Sequence, residues 1–138
     1  MNDVLISIKP KYAELIFSGK KRCEFRKKVP QMCKWPNRFY VYSSAPVKKI
    51  VGWFGTHGYG HYITFDNLWD ETDEWAGISK EDLERYFANA EEMFAISIST
   101  FHRISPVDIC DVGIDKAPQN FLYLTDEQMK LLEGLSEN

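Results

Sequence analysis

The sequence predicts an α+β fold, a small and mostly antiparallel β-barrel with helices appended, and we expect residues 1–138 to form a single domain. Three observations support this prediction. Short β-rich segments recur at uneven spacing, few segments have helical periodicity, and turn-forming residues separate them. With 138 residues, 44% of them hydrophobic and 14% aromatic, the chain can bury one substantial core but not two ordinary ones.

The N-terminal half predicts three strands and one helix. Residues 4–8 are β-rich and predict the first strand. Pro10 suits the first turn of a helix, and Gly19 stands where a helix typically ends. Two more strands are predicted at residues 39–42 and at residues 49–54, separated by a Ser-Ser-Ala-Pro turn.

The C-terminal half predicts helices, one strong strand and a capped final helix. Ser79, which is followed by an acidic turn, predicts the N-cap of a helix that continues to about residue 89. Residues 93–101 alternate in polarity and predict the strongest strand, and Pro106 is expected to end its continuation. Residues 120–124 predict a strand or a tight helical turn, and Thr125 is expected to cap the last helix.

Composition excludes several classes of protein. No run approaches the roughly 18 apolar residues that a membrane span needs. The N-terminus has no signal-peptide pattern, so we expect a cytoplasmic protein with no membrane partner. The three cysteines lack C-x-x-C spacing and indicate free thiols in a reducing compartment. Glycines between His57 and His61 argue against a helix that would align them, so we expect neither a metal site nor a cofactor.

Charge is distributed unevenly along the chain. Residues 1–50 contain 12 Lys and Arg against 3 Asp and Glu, a net charge of +9, whereas the other 88 residues carry 5 cations and 17 acids, a net charge of −12. This asymmetry favours a surface that binds an anion such as a phosphate backbone. The alternative is that the two halves attract each other across the fold.

The segment Gly19-x-Lys21-x-x-Glu24-x-Arg26 contains the strongest candidate site residues. In an extended segment, Glu24 and Arg26 share one face, while Lys21 lies on the other face or on the turn leading in. A carboxylate beside a guanidinium is held ionised and oriented. Such a pair can accept a hydrogen bond from a base edge while the guanidinium binds an anion. The alternative is a solvated turn with a surface ion pair of little energetic value.

Other residues are candidates for contacts with the same ligand. Lys9 either faces the cleft or is solvated. Ser43 and Ser44 can donate to phosphate or to base edges, although serines after a strand more often satisfy the backbone of a turn. Trp35 lies in a basic loop, where an exposed indole beside cations suits a nucleobase.

Several motifs together resemble the ASCH domain family, which is related to the PUA RNA-binding fold. The resemblance covers residues 4–124, and in chain order it rests on Ser7-Ile8-Lys9-Pro10-x-Tyr12-Ala13, Gly19-x-Lys21-x-x-Glu24-x-Arg26, Tyr42-Ser43-Ser44-Ala45-Pro46-Val47, Ile50-Val51-Gly52, Ile78-Ser79 with Tyr86-Phe87, and Ala117-Pro118-Gln119-Asn120-Phe121-x-Tyr123-Leu124.

The resemblance implies a PUA-like pseudo-barrel with a cleft beside the first helix, and a role in binding RNA or modified nucleotides. The motif residues carry over to Lys21, Glu24 and Arg26, and the amide of Gln119 would read a base edge. Some small relatives are amidohydrolases on acetylated cytidine, but they use a Thr nucleophile where this chain has Glu24. Other members are described as ribonucleases, for which Lys21 and Glu24 are candidate catalytic residues.

We therefore expect a protein that binds RNA or a nucleotide by capturing a phosphate or a base in a basic cleft. The alternative is an enzyme in the same cleft, either a ribonuclease or an amidohydrolase on an acylated nucleoside. Cations close to Glu24 favour its ionised form, which accepts hydrogen bonds but is a weak base. This physical argument favours binding over catalysis.

Overall fold

The computed structural model describes residues 2–137, so Met1 and Asn138, the end residues of the predicted domain, lie outside the described residues. The described part of the chain has eight strands and four α-helices, with three short 3-10 helices between them. In chain order the strands and α-helices are β1 (Val4–Ile8), α1 (Pro10–Phe17), β2 (Cys23–Arg26), β3 (Phe39–Ser43), β4 (Lys49–Gly55), β5 (Tyr59–Tyr62), α2 (Phe65–Thr72), α3 (Lys80–Tyr86), β6 (Met93–Ser97), β7 (Thr100–Val107), β8 (Phe121–Tyr123) and α4 (Asp126–Ser136).

The strands form two sheets. A five-stranded sheet has the order β7-β4-β3-β1-β8, and a three-stranded sheet has the order β2-β6-β5. Strands β1 and β3 are parallel, and every other pair is antiparallel. The α+β class is thus as predicted. The strand pairing within residues 2–137 does not close the sheets into a barrel, so the closed barrel is not confirmed.

Three apolar clusters hold these layers together. The first packs α1 against the five-stranded sheet, the second lies beneath α4, and the third joins α2 and α3 to the three-stranded sheet. Helix α1 approaches β4 closely at Gly52, where an added Cβ would lie 2.5 Å from Cζ of Phe17. Because of this approach, α1 ends in a fixed position, and the chain that leaves it enters β2 at a fixed place.

The predicted strand over residues 93–101 is divided between the two sheets. It breaks after Ser97 and resumes at Thr100, so β6 and β7 belong to different sheets. The prediction that Pro106 ends the continuation was wrong, because Pro106 lies inside β7. Strand β7 is an edge strand, and its register with β4 shifts next to this proline, so the missing N–H of Pro106 is tolerated there.

The predicted helix starts agree with the structure, whereas α3 ends at Tyr86, before the predicted end at about residue 89. Helix α1 starts at Pro10, and Gly19 follows its end with a φ of 79°. The Ser79 hydroxyl accepts a hydrogen bond from the amide of Asp82 at 3.1 Å at the start of α3. Thr125 forms a capping box at the start of α4. Among residues 2–137, no helix has the length and apolar character needed to cross a bilayer.

Candidate functional site

A cavity of about 550 Å³ lies where the start of α1, strand β2 and helix α3 meet. Its volume falls within the range of roughly 300–1,000 Å³ that is typical of small-molecule sites. The lining residues are Ser7, Ile8, Lys9, Lys11, Tyr12, Lys21, Glu24, Phe25, Arg26, Ile78, Asp82, Leu83, Arg85 and Tyr86. The structure therefore brings Lys9, Lys21, Glu24 and Arg26, four of the predicted site residues, to one cavity.

The turn after α1 places the side chain of Lys21 in the protein interior. The amides of Lys20 and Lys21 both donate to the Leu15 carbonyl at 3.0 Å, which reverses the chain just before β2. On the other side, Gly77 has a φ of 63°, and a Cβ added there would lie 2.6 Å from Cβ of Lys21. Only a glycine leaves room for the lysine stem at this point.

The ammonium group of Lys21 is buried but only partly satisfied by the protein. Lys21 is 2% exposed, and its Nζ donates to the Ala76 carbonyl at 2.6 Å. Nζ also lies 4.8 Å from the Phe25 ring centroid and 5.3 Å from that of Tyr12. Burial lowers the pKa of Lys21, while the negative charge of Glu24 opposes that shift. Since an ammonium has three N–H donors and the described residues accept from one, donors remain for a ligand.

Glu24 and Arg26 form a buried ion pair on β2. Nε of Arg26 donates to Oε2 of Glu24 at 3.0 Å, and both side chains are about one-tenth exposed. The rest of the guanidinium is also engaged, since it donates to the Ser7 carbonyl and, at 3.5 Å, to Oδ1 of Asn120. No hydrogen bond from residues 2–137 reaches Oε1 of Glu24. Arg26 therefore positions the carboxylate, and Glu24 keeps one oxygen for a ligand.

The mouth of the cavity is cationic and aromatic. Lys9 and Lys11 are exposed at the start of α1. On the opposite wall, Arg85 donates to the carboxylate of Asp82, so these two opposite charges of α3 neutralise each other. Tyr86 is 39% exposed at the same edge. The site thus changes from a buried polar centre to an exposed, positively charged rim.

The other four predicted site residues do not line this cavity. Trp35 packs against Phe39 and Tyr59 with centroid distances of 5.5 Å and 5.2 Å, and its buried Nε1 has no partner among residues 2–137. Ser43 is buried at the end of β3, and the amide of Ser44 donates to the Ile8 carbonyl at 3.0 Å. Gln119 is exposed. The ligand contacts predicted for these four residues stay predictions.

Sequence reasoning missed the residues that α1, α3 and the segment before β8 contribute. Tyr86 lies at the edge of the buried face of α3, next to Phe87, which is buried. A phenol at the border of an apolar stripe is a signal for a rim position. Asn120, which contacts Arg26, had no such signal, because a separation of 94 residues hides the contact.

The family of the chain follows from comparison with known proteins. The model of the ASCH domain matches residues 6–101, which is more than half of the chain. This protein belongs to the ASCH domain family. The matched segment begins in β1 and ends in β7, so it includes the Lys21–Glu24–Arg26 motif and all of α3.

Its relatives include an ASCH protein of known structure. A protein of Zymomonas mobilis named an ASCH domain-containing ribonuclease is 27% identical over 97% of this chain and 92% of its own length. The crystal structure of ASCH from Zymomonas mobilis superimposes with a TM-score of 0.87 at 25% identity, covering 98% of this chain and 96% of that one. A point mutant of the Zymomonas ASCH protein gives a TM-score of 0.88 at 25% identity with the same coverage.

Proposed function

We propose that this ASCH protein binds RNA or a nucleotide in the cavity between α1, β2 and α3. The RNA-related name of the Zymomonas relative supports the ligand class. The observation that carries the proposal is the pair formed by Lys21 and Glu24. Both residues are less than one-tenth exposed, yet each retains hydrogen-bonding capacity that the described residues leave unused.

The energetics of this pair favour a binding role. Burying a charged group costs free energy unless partners replace its water. Lys21 donates to one carbonyl, and Glu24 accepts from one guanidinium, so the pair is only partly compensated. A ligand that accepts from Lys21 and donates to Glu24 would complete both sets of hydrogen bonds. Base edges and ribose hydroxyls offer such groups side by side.

The charge of the lining supports an anionic ligand. The cavity is lined by five cationic side chains (Lys9, Lys11, Lys21, Arg26 and Arg85) and two carboxylates (Glu24 and Asp82), so cations exceed acids by three. Lys and Arg near phosphates supply most of the sequence-independent affinity for nucleic acid. Tyr12 and Tyr86 add aromatic surface on which a base can stack.

A second candidate function is RNA cleavage at the same site, which the name of the Zymomonas relative favours. In that case Glu24 would take the proton of a ribose hydroxyl, and Lys21 would stabilise the charge that develops on the phosphate. The ion pair with Arg26 works against this role. Nε of Arg26 already donates to Oε2 of this carboxylate at 3.0 Å, and a carboxylate that took up a proton would lose the charge that strengthens this hydrogen bond.

Glu24→Gln separates the two functions, because it keeps the shape of the side chain and removes its charge. For a binding protein, the affinity for fluorescently labelled single-stranded RNA should fall by about 1–3 kcal/mol, measured by anisotropy. For an enzyme, turnover should fall by about 100-fold or more while binding largely survives. Glu91→Gln is the control, since Glu91 is exposed and does not line the cavity.

Hydrolysis is assayed directly in a separate experiment with the same proteins. Wild-type protein is incubated with RNA and with an acylated cytidine, and the products are separated by chromatography. We expect no turnover with either substrate. Hydrolysis that Glu24→Gln abolishes would replace the binding proposal with the enzymatic one. RNA binding that Glu24→Gln leaves unchanged, in a wild type that hydrolyses neither substrate, would remove the cavity from both.

A further inference from the structure

We propose that the cavity receives the base of an unpaired nucleotide at Lys21 and Glu24 and holds the adjacent phosphate at its mouth, on Lys9 and Lys11. This inference rests on the proposed function and specifies its ligand. It assigns base and phosphate to different depths of one site. The ligand class is thus a nucleotide with a free base edge, either alone or within single-stranded RNA.

Burial orders the lining residues by depth. Glu24 is 7% exposed and Lys21 is 2% exposed, and the apolar residues around them are buried to the same degree (Ile8, Phe25 and Leu83). Lys9, Lys11 and Arg85, in contrast, are exposed. The deep part therefore combines apolar walls with one donor and one acceptor, whereas the cations without an ion pair, Lys9 and Lys11, lie outside.

The deep part suits a base better than it suits a phosphate. Arg26 is a poorer partner for a phosphate than the rim lysines, because three of its five N–H donors already go to Glu24, Ser7 and Asn120 and its charge is paired with that of Glu24. A phosphate placed there would meet the carboxylate of Glu24, and like charges in a buried site repel strongly. The Watson–Crick edge of every base has a donor beside an acceptor, which matches Oε1 of Glu24 and Nζ of Lys21.

The start of α1 suits the phosphate. Neither Lys9 nor Lys11 forms an ion pair with a described carboxylate. The first turn of α1 contains no acidic residue, and no side chain caps it. A helix N-terminus attracts anions through its dipole and its free amides. In the first turn of α1 the amide of Lys11 has no acceptor among the described residues, whereas Pro10 has no N–H and the amide of Tyr12 donates to the Lys9 carbonyl at 3.0 Å. Because the buried and partly unpaired Glu24 and Lys21 lie in the adjoining cavity, a nucleotide bound there would bring its phosphate close to this N-terminus.

The opposite wall restricts the path of a longer strand. Helix α3 carries Glu81 and Glu84 on its exposed surface, beside Arg85, which also lines the cavity. These carboxylates disfavour an RNA backbone on that side. A base in a duplex has its Watson–Crick edge paired and both faces stacked, so it cannot enter the cavity without being extruded. Single-stranded ligands that run along α1 are therefore favoured.

The test compares nucleosides with their monophosphates by isothermal titration calorimetry. Probes are the four common ribonucleosides, their 5′- and 3′-monophosphates and inorganic phosphate. We expect at least one monophosphate to bind about tenfold or more tightly than its nucleoside, as charged hydrogen bonds provide. Inorganic phosphate should not displace the nucleoside, because the two occupy different parts of the site.

Variants locate the phosphate contribution. The double substitution Lys9→Gln with Lys11→Gln should reduce the preference for the monophosphate over the nucleoside to about twofold or less. Glu24→Gln should weaken nucleoside and monophosphate by similar factors. The control is Lys116→Gln with Lys130→Gln, which removes the same charge from two exposed lysines that do not line the cavity and should keep the wild-type preference.

Three results would overturn the inference while the proposed function survives. They are displacement of the nucleoside by inorganic phosphate, equal loss of nucleoside and monophosphate in the Lys9–Lys11 variant, and equal affinity for single-stranded and duplex RNA that Glu24→Gln weakens in both cases. If no nucleoside, nucleotide or RNA binds at all, the proposed function itself fails. Circular dichroism of each variant confirms that a loss of binding is not a loss of folding.

Discussion

At the scale of single residues, Lys21 and Arg26 have opposite roles although both are cations of one short motif. Nζ of Lys21 has one protein acceptor and lies against aromatic rings, whereas the guanidinium of Arg26 has three partners on three segments. The first group retains capacity for a ligand, and the second holds the site together. Sequence spacing predicted that they belong to one site, but it could not distinguish their roles, because those depend on Ala76 and Asn120.

The burial of Lys21 predicts a pH dependence of stability. Its pKa is lowered in the folded protein, so the unfolded chain binds this proton more tightly, and the free energy of unfolding should rise as pH increases towards 10.5. The variant Lys21→Met has no titrating group at this position, so it lacks this dependence on pH. The stability of the wild type relative to Lys21→Met should therefore be greater at about pH 10 than at about pH 7, measured by urea unfolding.

Groups that do not interact with Lys21 contribute equally to both proteins, so they cancel in this difference. Burial raises the pKa of the Cys23 thiol and the positive charge of Lys21 opposes that shift, so Cys23→Ser is introduced into both proteins. A difference that is constant, or that decreases as pH rises, would mean that the Lys21 ammonium is not destabilised by burial. The unused donors that motivate the binding proposal would then be hydrated.

The three contacts of Arg26 predict that lysine cannot replace it. Arg26→Lys keeps the charge but loses the planar fork that reaches Glu24 and the Ser7 carbonyl together. We expect the variant to lose about 1–3 kcal/mol of unfolding free energy in urea denaturation. Arg22→Lys, on an exposed arginine that follows the same turn, is the control. Equal losses in both variants would show that Arg26 does not position the site.

At the scale of elements, the site depends on how the segment before α3 packs over the turn before β2. The amide of Arg22 donates to the Trp75 carbonyl at 2.9 Å, Nζ of Lys21 donates to the next carbonyl, and Gly77 lies against the lysine stem. Sequence patterns predicted helices α1 and α3, because a proline and a glycine mark the two ends of α1 and a capping serine marks the start of α3. They did not predict this contact between distant segments, which only the tertiary packing determines.

The same limit explains the errors in the strands. Residues 93–101 alternate as one strand, and local propensity cannot show that the chain changes sheet after Ser97. The break is set by tertiary bonds, since the amide of Ile98 donates to the Arg22 carbonyl and that of Ser99 to the Gly55 carbonyl. Likewise, Pro106 is a strand breaker except at a sheet edge, and edge position is a property of topology.

Gly77 and Gly113 form a matched pair that tests the packing over Lys21. Both have positive φ values, 63° and 77°, but an added Cβ collides with Lys21 at Gly77 and meets nothing at Gly113. Each alanine variant should lose about 1–2 kcal/mol through its backbone conformation. Gly77→Ala should lose more than Gly113→Ala and should also weaken RNA binding. Unchanged RNA affinity in Gly77→Ala would show that the position of Lys21 is not critical.

At the scale of the whole molecule, the two charged halves of the sequence meet at the cavity. Four of the five lining cations come from residues 1–50, whereas Asp82 and Arg85 come from the acidic helix α3. The halves do touch, as one sequence interpretation held, but the N-terminal cations Lys9 and Lys11 keep no ion pair there. The balance of charge around the site is therefore set by the fold and not by the net charge of −3.

The excess of cations in residues 1–50 predicts that affinity for RNA falls as salt concentration rises and does not depend on the base sequence. Lys27→Glu with Lys28→Glu, two exposed lysines after β2, should weaken binding to all single-stranded RNAs alike and reduce the salt dependence of binding. Lys116→Glu with Lys130→Glu makes the same change in net charge elsewhere and should have a smaller effect. Equal effects of the two double variants, measured by anisotropy at several salt concentrations, would mean that only net charge matters.

The central claim is that one cavity binds RNA or a nucleotide through Lys21 and Glu24, and a crystal structure of the protein with a short single-stranded RNA tests it most directly. Our account predicts electron density for one nucleotide in the cavity, with polar atoms within hydrogen-bonding distance of Nζ of Lys21 and of Oε1 of Glu24. RNA that is ordered on another surface, while the cavity contains only solvent, would contradict it.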